Sequence, residues 1–355
     1  MKEMKVQASS HSYPIYVGEN LRFQVGRLLK EEYSSIMVVS DETVGELYLE
    51  DILASINHSH LYYTLVPAGE ESKNIDQFYQ LHSKAMEFGL DRRSLIIALG
   101  GGVIGDLAGF VAATYMRGID YIQVPTTILA HDSSVGGKVA VNHHMGKNMI
   151  GNFYPPKAVI YDVQTLESLS GKEVRSGYAE LVKEAFIGDE KFLEELFSIK
   201  LGDLSSTQLT EHLYNGIKVK AAIVEADEKE AGIRKYLNLG HTLGHALEAE
   251  NGYGKIAHGE AVAVGMLFAL FISEQVYGRS LPYQQLLEWL HTNGYPLQVG
   301  ETSPEALIER MKSDKKNIGN NIQMILLRGT GDLTTEEVPE QELKEYLKTF
   351  IGKLV

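Results

Sequence analysis

The chain contains no cysteine. Disulfides, thiol nucleophiles, thiolate metal ligands and thiol redox switches are therefore excluded together. Any bound transition metal has only His, Asp and Glu to hold it. Basic residues are in deficit, 33 Lys and Arg against 47 Asp and Glu, for a net charge of −14. That balance argues against wrapping a nucleic acid, whose phosphates demand clustered Lys and Arg. It leaves room for a small anionic substrate, because a local basic pocket focuses its own field within an acidic molecule. No run of 18 apolar residues occurs, so no membrane span is expected. The longest apolar stretch, Ala261–Ile272 (AVAVGMLFALFI), is too short and reads as a buried helix. Met1–Ser10 lacks the apolar core of a signal peptide, and the expected compartment is the cytoplasm.

What is present is an ordinary globular composition, 44% hydrophobic and 23% charged over 355 residues. That length suggests two domains. In the first half, Ile36–Ser40, Tyr62–Val66, Ser94–Leu99, Tyr121–Val124 and Ala158–Tyr161 are short, β-branched or aromatic runs of the kind that form buried parallel strands. Between them, Ile75–Phe88 carries a helical apolar stripe. This alternation predicts an α/β layer, whose parallel sheet binds ligands at the carboxyl ends of its strands. After about Ser170 the character changes. Val174–Ile187, Ser205–Ala226, Thr242–Glu250, Glu260–Tyr277, Tyr283–His291, Pro304–Met311 and Glu340–Ile351 read as helices, with one strand-like interruption at Ile322–Leu327. Ser303 and Pro304 suit an N-cap and first helical position. The expected organisation is an α/β domain over residues 1–170 and a mostly α-helical domain over 171–355.

Three constellations carry chemistry. The first is SLIIALGGGVIGD, a strand running into Gly100, Gly101, Gly102 and Gly105 and then Asp106. Such glycines let backbone approach a pyrophosphate, whose charge the following helix N-terminus favours. A ligand-free tight turn is the competing reading. The loops PAGEESK (67–73) and PTT (125–127) follow neighbouring strands, and alone each reads as a turn. The second is a polar loop running from Asp132 through Lys138 to Lys147 and Asn148, in which glycine-flanked lysines present point charges to a phosphate. The third lies in the helical half. Glu180 and Lys183 share a helical face at i and i+3, His241 and His245 stand at i and i+4, and His258 follows 13 residues later. A Glu and two of these His make a three-ligand site that leaves positions open for a substrate. Lys220, Arg234, Asn238, Lys315 and Lys316 are further polar groups able to converge on an anion.

PTTILAHDSSVGGK, GKNMIGNFY, GYAELVKEA, RKYLNLGHTLGHALE, HGEAVAVGM and DKKN occur in this order and spacing. Together with GGGVIGDLAGFVAATYMRGI and PAGEESK, they resemble the 3-dehydroquinate synthases over most of the chain. The resemblance implies a Rossmann-like α/β domain and an NAD- and zinc-dependent cyclase, with cobalt a possible substitute metal. It implies Glu180, His241 and His258 as metal ligands and His245 as a substrate-side or proton-relaying residue. Asp41, Gly69, Glu70, Lys73, Gly102, Val103, Ile104, Gly105, Asp106, Thr126, Thr127, Lys138, Lys147, Thr165, Leu166, Glu167 and Ser168 would surround the NAD. Asp132, Lys138, Asn148, Lys183, Lys220, Arg234, Asn238 and one or both of Lys315 and Lys316 would meet the substrate. Arg117, in TYMRGI, would reach the phosphate of a neighbouring subunit's substrate, which implies a homodimer.

The implied reaction converts 3-deoxy-D-arabino-heptulosonate 7-phosphate to 3-dehydroquinate and phosphate. A hydroxyl is oxidised by NAD, phosphate leaves by β-elimination, NADH returns its hydride, and ring opening and aldol closure follow. Two other functions share much of this pattern: another NAD- and metal-dependent sugar phosphate cyclase, and a metal-dependent polyol dehydrogenase that releases NADH. A catalytically silent nucleotide-binding scaffold would not need the Glu180, His241 and His258 set.

Overall fold

The computed structural model describes residues 1–252, 255–298, 302–314 and 321–354. The chain forms two compact units. The first comprises Met1–Leu169 with Ser205–Lys229, and the second comprises Ser170–Leu204 with Glu230–Val355.

The strands of the first unit are β1 (Lys2–Gln7), β2 (Ser12–Gly18), β3 (Ile36–Asp41), β4 (Leu61–Val66), β5 (Leu95–Gly100), β6 (Asp120–Pro125), β7 (Lys138–His143), β8 (Gly146–Phe153) and β9 (Ala158–Asp162). Seven of them form one sheet in the order β1-β2-β9-β6-β5-β3-β4. All neighbours in it run parallel except β1, which pairs antiparallel with β2 at the edge. The helices of the whole chain begin with α1 (Val25–Leu28), α2 (Glu42–Ser55), α3 (Ile75–Glu87), α4 (Gly102–Thr114) and α5 (Ala130–Ser133). They continue with α6 (Gly171–Gly188), α7 (Glu190–Phe197), α8 (Ser206–Ala226), α9 (His241–Asn251), α10 (His258–Tyr277), α11 (Tyr283–Thr292), α12 (Pro304–Asp314) and α13 (Glu340–Leu354).

The sheet is buried on both faces, as its continuous apolar strands require. Successive residues point to opposite sides. Met37, Val39, Ile96 and Ala98 pack with Leu81, Leu107, Phe110 and Val111 from α3 and α4. Ile36, Val38, Leu95, Ile97 and Leu99 pack on the other side with Val25, Leu49 and Ile52 from α1 and α2. The strand order turns at β3, with β4 on one side and β5 on the other. Ligands of doubly wound sheets bind beyond the strand ends at such a point.

One segment beyond residue 170 groups with the first unit. Helix α8 and its flanks belong to the first unit, where α8 packs against β1, β2 and α5. Glu211 pairs with Lys2, Glu225 accepts from the backbone of Gln7 at 2.7 Å, and Glu228 accepts from that of Ser9 at 2.8 Å. Periodicity identifies this segment as a helix but carries no information on which core it joins. The expected polar loop is corrected. From Lys138 onward it is the antiparallel hairpin β7–β8, with Val139 and Val141 buried against α4.

Among the described residues the second unit is mostly helical, with one hairpin of β10 (Asn321–Gly329) and β11 (Asp332–Pro339). Its axis is α10. Although long and apolar enough by composition to cross a membrane, α10 is buried continuously from Gly259 to Ser273, as a core helix surrounded by α6, α9, α11, α13 and β10. Ser303 Oγ accepts from Ala306 N at 3.2 Å and caps α12, with Pro304 in the first helical position.

Candidate functional site

In the first unit, the residues expected around a dinucleotide follow the carboxyl ends of five parallel strands. Asp41 ends β3, Gly69–Lys73 follow β4, Gly102–Asp106 follow β5, Thr126 and Thr127 follow β6, and Thr165–Ser168 follow β9. The glycines of the β5–α4 turn lie close to neighbouring side chains. A Cβ on Gly101 would lie 3.0 Å from Thr127 Cγ2, and one on Gly102 would lie 2.9 Å from Ser133 Oγ. Gly101, the N-cap of α4, offers no side chain to cap the helix. The amides of Gly102, Val103 and Ile104 in its first turn thus have no intrahelical acceptor and face outward for an anion. Thr126 Oγ1 is buried without a hydrogen-bond partner, as are the hydroxyls of Ser133 and Ser134. A buried hydroxyl in that state fits a site that a polar ligand completes.

Several of these side chains already have work within the fold. Asp41 accepts from Val44 N at 2.9 Å and caps α2. Thr165 Oγ1 donates to Asp162 O at 2.8 Å and Ser168 Oγ to Thr165 O at 2.9 Å, while Leu166 is buried and Glu167 exposed. Lys73 is the centre of a cluster. Its Nζ donates to Asp106 Oδ2 at 2.5 Å and to Asn148 Oδ1 at 2.6 Å. Glu70 accepts from Asn142 Nδ2 at 2.7 Å, and Asn142 Oδ1 accepts from Asn148 N at 2.9 Å. Burial pushes the Asp106 carboxyl upward, and the Lys73 charge opposes that rise.

The substrate candidates of this unit are distributed more loosely. Lys220 on α8 is buried and pairs with Asp132, with Nζ 3.0 Å from Oδ1 and a second bond to the Asp132 carbonyl. Lys138 is exposed at the start of β7, and Lys147 is half-buried on β8. Asn148 holds a left-handed conformation at φ 58° and Arg117 at φ 70°, beside Met116 at φ 49°. Arg117 and Met116 are exposed. Non-glycine residues in that region cost of order 1–3 kcal/mol each and cluster at functional sites.

In the second unit, Glu180 and Lys183 project from α6, His241 and His245 from α9, and His258 from the first position of α10. Two close approaches bring these helices together. A Cβ on Gly259 would fall 1.9 Å from Ser176 O on α6, and one on Gly265 would fall 1.8 Å from Gly240 O at the start of α9. Gly259 N also donates to Ser176 Oγ at 2.9 Å. Arg175 grips Glu260, Nε and Nη2 each 2.8 Å from Oε1, and Glu260 closes the first turn of α10 against Ala257 N.

The result is a converging donor set. Glu180 Oε2 accepts from Lys183 Nζ at 2.5 Å, which leaves Oε1 turned to His258 Nε2 at 3.4 Å and His241 Nε2 at 3.7 Å. The donor atoms of His241, His245 and His258 lie within 4.8 Å of one another. His241 Nδ1 donates to Leu239 O at 3.1 Å, and His258 Nδ1 to Glu248 Oε2 at 2.8 Å. The His241 imidazole is held neutral, its pKa well below the ordinary value because burial outweighs the attraction of Glu180. For His258 burial also opposes the charged form, but hydrogen bonds to Glu180 and Glu248 outweigh it and push the pKa up to about 10. Two carboxylates around one imidazole require a positive charge at its free nitrogen, which a proton or a metal ion supplies. One carboxylate oxygen and two imidazole nitrogens, tied down from behind, fit a zinc- or cobalt-class ion with open positions.

Arg234 is buried, and Asn238 Nδ2 donates to Glu230 Oε1 at 2.9 Å. Lys315 and Lys316 lie outside the described residues. Sequence reasoning missed Glu248 and Glu230. Glu248 stands three residues after His245 and seven after His241, on the same face of α9, and that spacing was available as a signal. Glu230 is marked by its φ of 59°, which no sequence pattern announces.

The profile of the 3-dehydroquinate synthase N-terminal region matches residues 63–176, and that of the C-terminal region matches 177–317. The chain belongs to the 3-dehydroquinate synthase family. A 3-dehydroquinate synthase from Oceanobacillus iheyensis is 54% identical over 100% of this chain and 99% of its own. Among solved structures, 2-deoxy-scyllo-inosose synthase complexed with carbaglucose-6-phosphate, NAD+ and Co2+ superposes with a TM-score of 0.88 at 28% identity, covering 98% of this chain and 100% of that one. The 2-epi-5-epi-valiolone synthase ValA from Streptomyces hygroscopicus, with NAD+ and Zn2+ bound, shares the fold at a TM-score of 0.83 and 22% identity, covering 98% and 99%.

Proposed function

We propose that this chain converts 3-deoxy-D-arabino-heptulosonate 7-phosphate to 3-dehydroquinate and phosphate, using NAD and a divalent metal ion. The observation that carries the proposal is the convergence of Glu180 Oε1, His241 Nε2 and His258 Nε2 in a chain of this family. These three residues would hold the metal, which supplies Lewis-acid polarisation of a substrate oxygen when bound. The turn at Gly102–Asp106, with Asp41, Gly69, Glu70, Lys73, Thr126, Thr127, Lys138, Lys147 and the Thr165–Ser168 segment, would hold NAD, whose chemistry is reversible hydride transfer.

The same reading gives substrate-binding roles to Asp132, Lys138, Asn148, Lys183, Lys220, Arg234 and Asn238, and to one or both of Lys315 and Lys316. Most of the reaction demands positioning and charge neutralisation. Buried Lys183, Lys220 and Arg234 suit that demand, since a desolvated cation acts more strongly on an anion than a solvated one. His245 would relay a proton to or from the substrate. Arg117, exposed and in a left-handed conformation, is assigned to the substrate of a second copy, so the active form is a homodimer. As an enzyme of intermediary biosynthesis it would work in the cytoplasm.

The test is a turnover assay with that substrate, catalytic NAD and zinc, following phosphate, 3-dehydroquinate and NADH together. The expected result is one phosphate and one dehydroquinate per substrate, no net NADH, and loss of activity on chelation. Net NADH would indicate a dehydrogenase, and turnover of a sedoheptulose or glucose phosphate instead would indicate a sister cyclase.

A further inference from the structure

We propose that Glu248 is the positioning residue of the metal centre, fixing the tautomer and the ring orientation of His258. The proposal rests on the reading of Glu180, His241 and His258 as metal ligands. A neutral imidazole carries one N–H and one bare nitrogen, and only the bare nitrogen binds a metal. An ionised carboxylate accepts and cannot donate. The 2.8 Å bond from His258 Nδ1 to Glu248 Oε2 therefore places the ring proton on Nδ1 and leaves Nε2 for the ion, on the side of Glu180 Oε1.

His241 is fixed in the same sense by Leu239 O at 3.1 Å, so both rings present Nε2. The two anchors differ in strength. His241 lies within a buried stretch, its side chain 11% exposed, and is held by a backbone carbonyl. The His258 side chain is 32% exposed, sits at the first position of α10, and is held by a carboxylate. A charged acceptor makes a hydrogen bond roughly twice as strong as a neutral one. The more exposed ring thus has the stronger anchor.

Glu248 is also expensive where it stands. It is 5% exposed on α9, and a carboxylate so withdrawn from water is destabilising unless its partners compensate. Its position, one face of α9 with His241 and His245, aims it across to the start of α10.

The experiment measures metal affinity of the whole protein after chelation, by Co2+ absorption and by Zn2+ competition with a chromophoric chelator. Wild type, Glu180→Ala, Glu248→Ala and Glu248→Gln are compared, with thermal unfolding of each metal-free protein. Glu248→Ala is expected to weaken Co2+ and Zn2+ binding by roughly 10–100-fold, the usual cost of losing an outer-shell partner. Glu248→Gln keeps a carbonyl that accepts from Nδ1 and is expected to fall between wild type and Glu248→Ala. At saturating metal, both variants should recover most of the wild-type kcat. Unchanged metal affinity in Glu248→Ala overturns the proposal. If Glu248→Ala does not fold, Glu248→Leu, which also lacks an acceptor for Nδ1, takes its place, and wild-type affinity with an unchanged Co2+ spectrum in that variant overturns it. Equal Co2+ binding by wild type and Glu180→Ala would remove the metal centre itself, and the positioning role with it.

Discussion

Lys183 Nζ lies 2.5 Å from Glu180 Oε2, one turn further along α6, and both side chains are 1% exposed. The pair divides the carboxylate. One oxygen is committed to Lys183 and the other faces two histidines. Removing one member of a buried pair leaves an uncompensated charge and costs on the order of 3–5 kcal/mol. Lys183→Met should therefore unfold more easily than wild type when chelated, and the deficit should shrink when zinc is added, because the ion compensates Glu180 in its place. Turnover should fall by about 100-fold or more, as for a lost transition-state contact. Denaturant unfolding with and without zinc, alongside kcat/KM, separates the two effects, and wild-type turnover would remove Lys183 from the site.

Lys220 holds Asp132 from α8, with Nζ 3.0 Å from Oδ1. Both belong to the first unit, although the helix that supplies Lys220 lies beyond residue 170 in the chain. Lys220→Ala should lower kcat/KM by about 100-fold or more. Lys220→Arg should not restore it, since a planar fork cannot replace a compact ammonium in a buried position. Full rescue by Arg, read from steady-state kinetics, would show that charge alone matters there.

The Lys73–Asp106 pair predicts a pH dependence. Burial raises the Asp106 pKa in the folded protein, and Lys73 only partly opposes it. A carboxyl with a raised folded pKa contributes stability that is complete in acid, below its unfolded value near 3.9, and is lost as pH rises through the folded value. Lys73→Met removes the opposing charge and raises the folded value further. Its destabilisation relative to wild type should thus be small at pH 4 and grow toward pH 8. Lys73→Met/Asp106→Asn should recover part of the loss, because no charge is left unpaired. Urea unfolding at both pH values checks the sign, and a deficit that shrinks with rising pH would contradict it.

How far the sequence reached can be followed in particular elements. Leu95–Gly100 and Ile36–Asp41 are continuous apolar runs because both faces of the sheet are covered, so their composition announced them. The first two strands escaped notice. Edge strands such as β1 alternate polar and apolar side chains weakly, with only Val6 fully buried. The β7–β8 hairpin read as a loop because its glycines and lysines outnumber its buried Val139 and Val141. Glu180, Lys183, His241 and His258 were legible from helical spacing together with resemblance. Spacing alone left His245 as an equal candidate ligand. Three-dimensional placement keeps His245 within 4.8 Å of the other two imidazoles, and adds that Glu180 Oε1 faces His241 and His258 and that Glu248 stands behind His258.

Two glycines set how closely the helices that carry Glu180, His241 and His258 approach. Gly259 lies against Ser176 O of α6, and Gly265 against Gly240 O at the start of α9; an added Cβ would meet each oxygen at 1.9 Å and 1.8 Å. Both obstacles are backbone atoms, so no side-chain rotation relieves them. Gly259→Ala must move α10 from α6, separating His258 from Glu180, and Gly265→Ala must move it from α9, separating His258 from His241. Each should cost at least about 1–3 kcal/mol, the range for overpacking. Each should also weaken metal binding. Gly278 at the end of α10 is the control. It meets nothing within 4 Å, but its φ of +62° disfavours other residues, and Gly278→Ala should cost about 1–2 kcal/mol through the backbone alone. Thermal unfolding and Co2+ titration of the three variants distinguish the cases. All three lose stability, while only Gly259→Ala and Gly265→Ala lose metal affinity. Wild-type metal affinity in both would mean that helix spacing does not set the geometry of the donors.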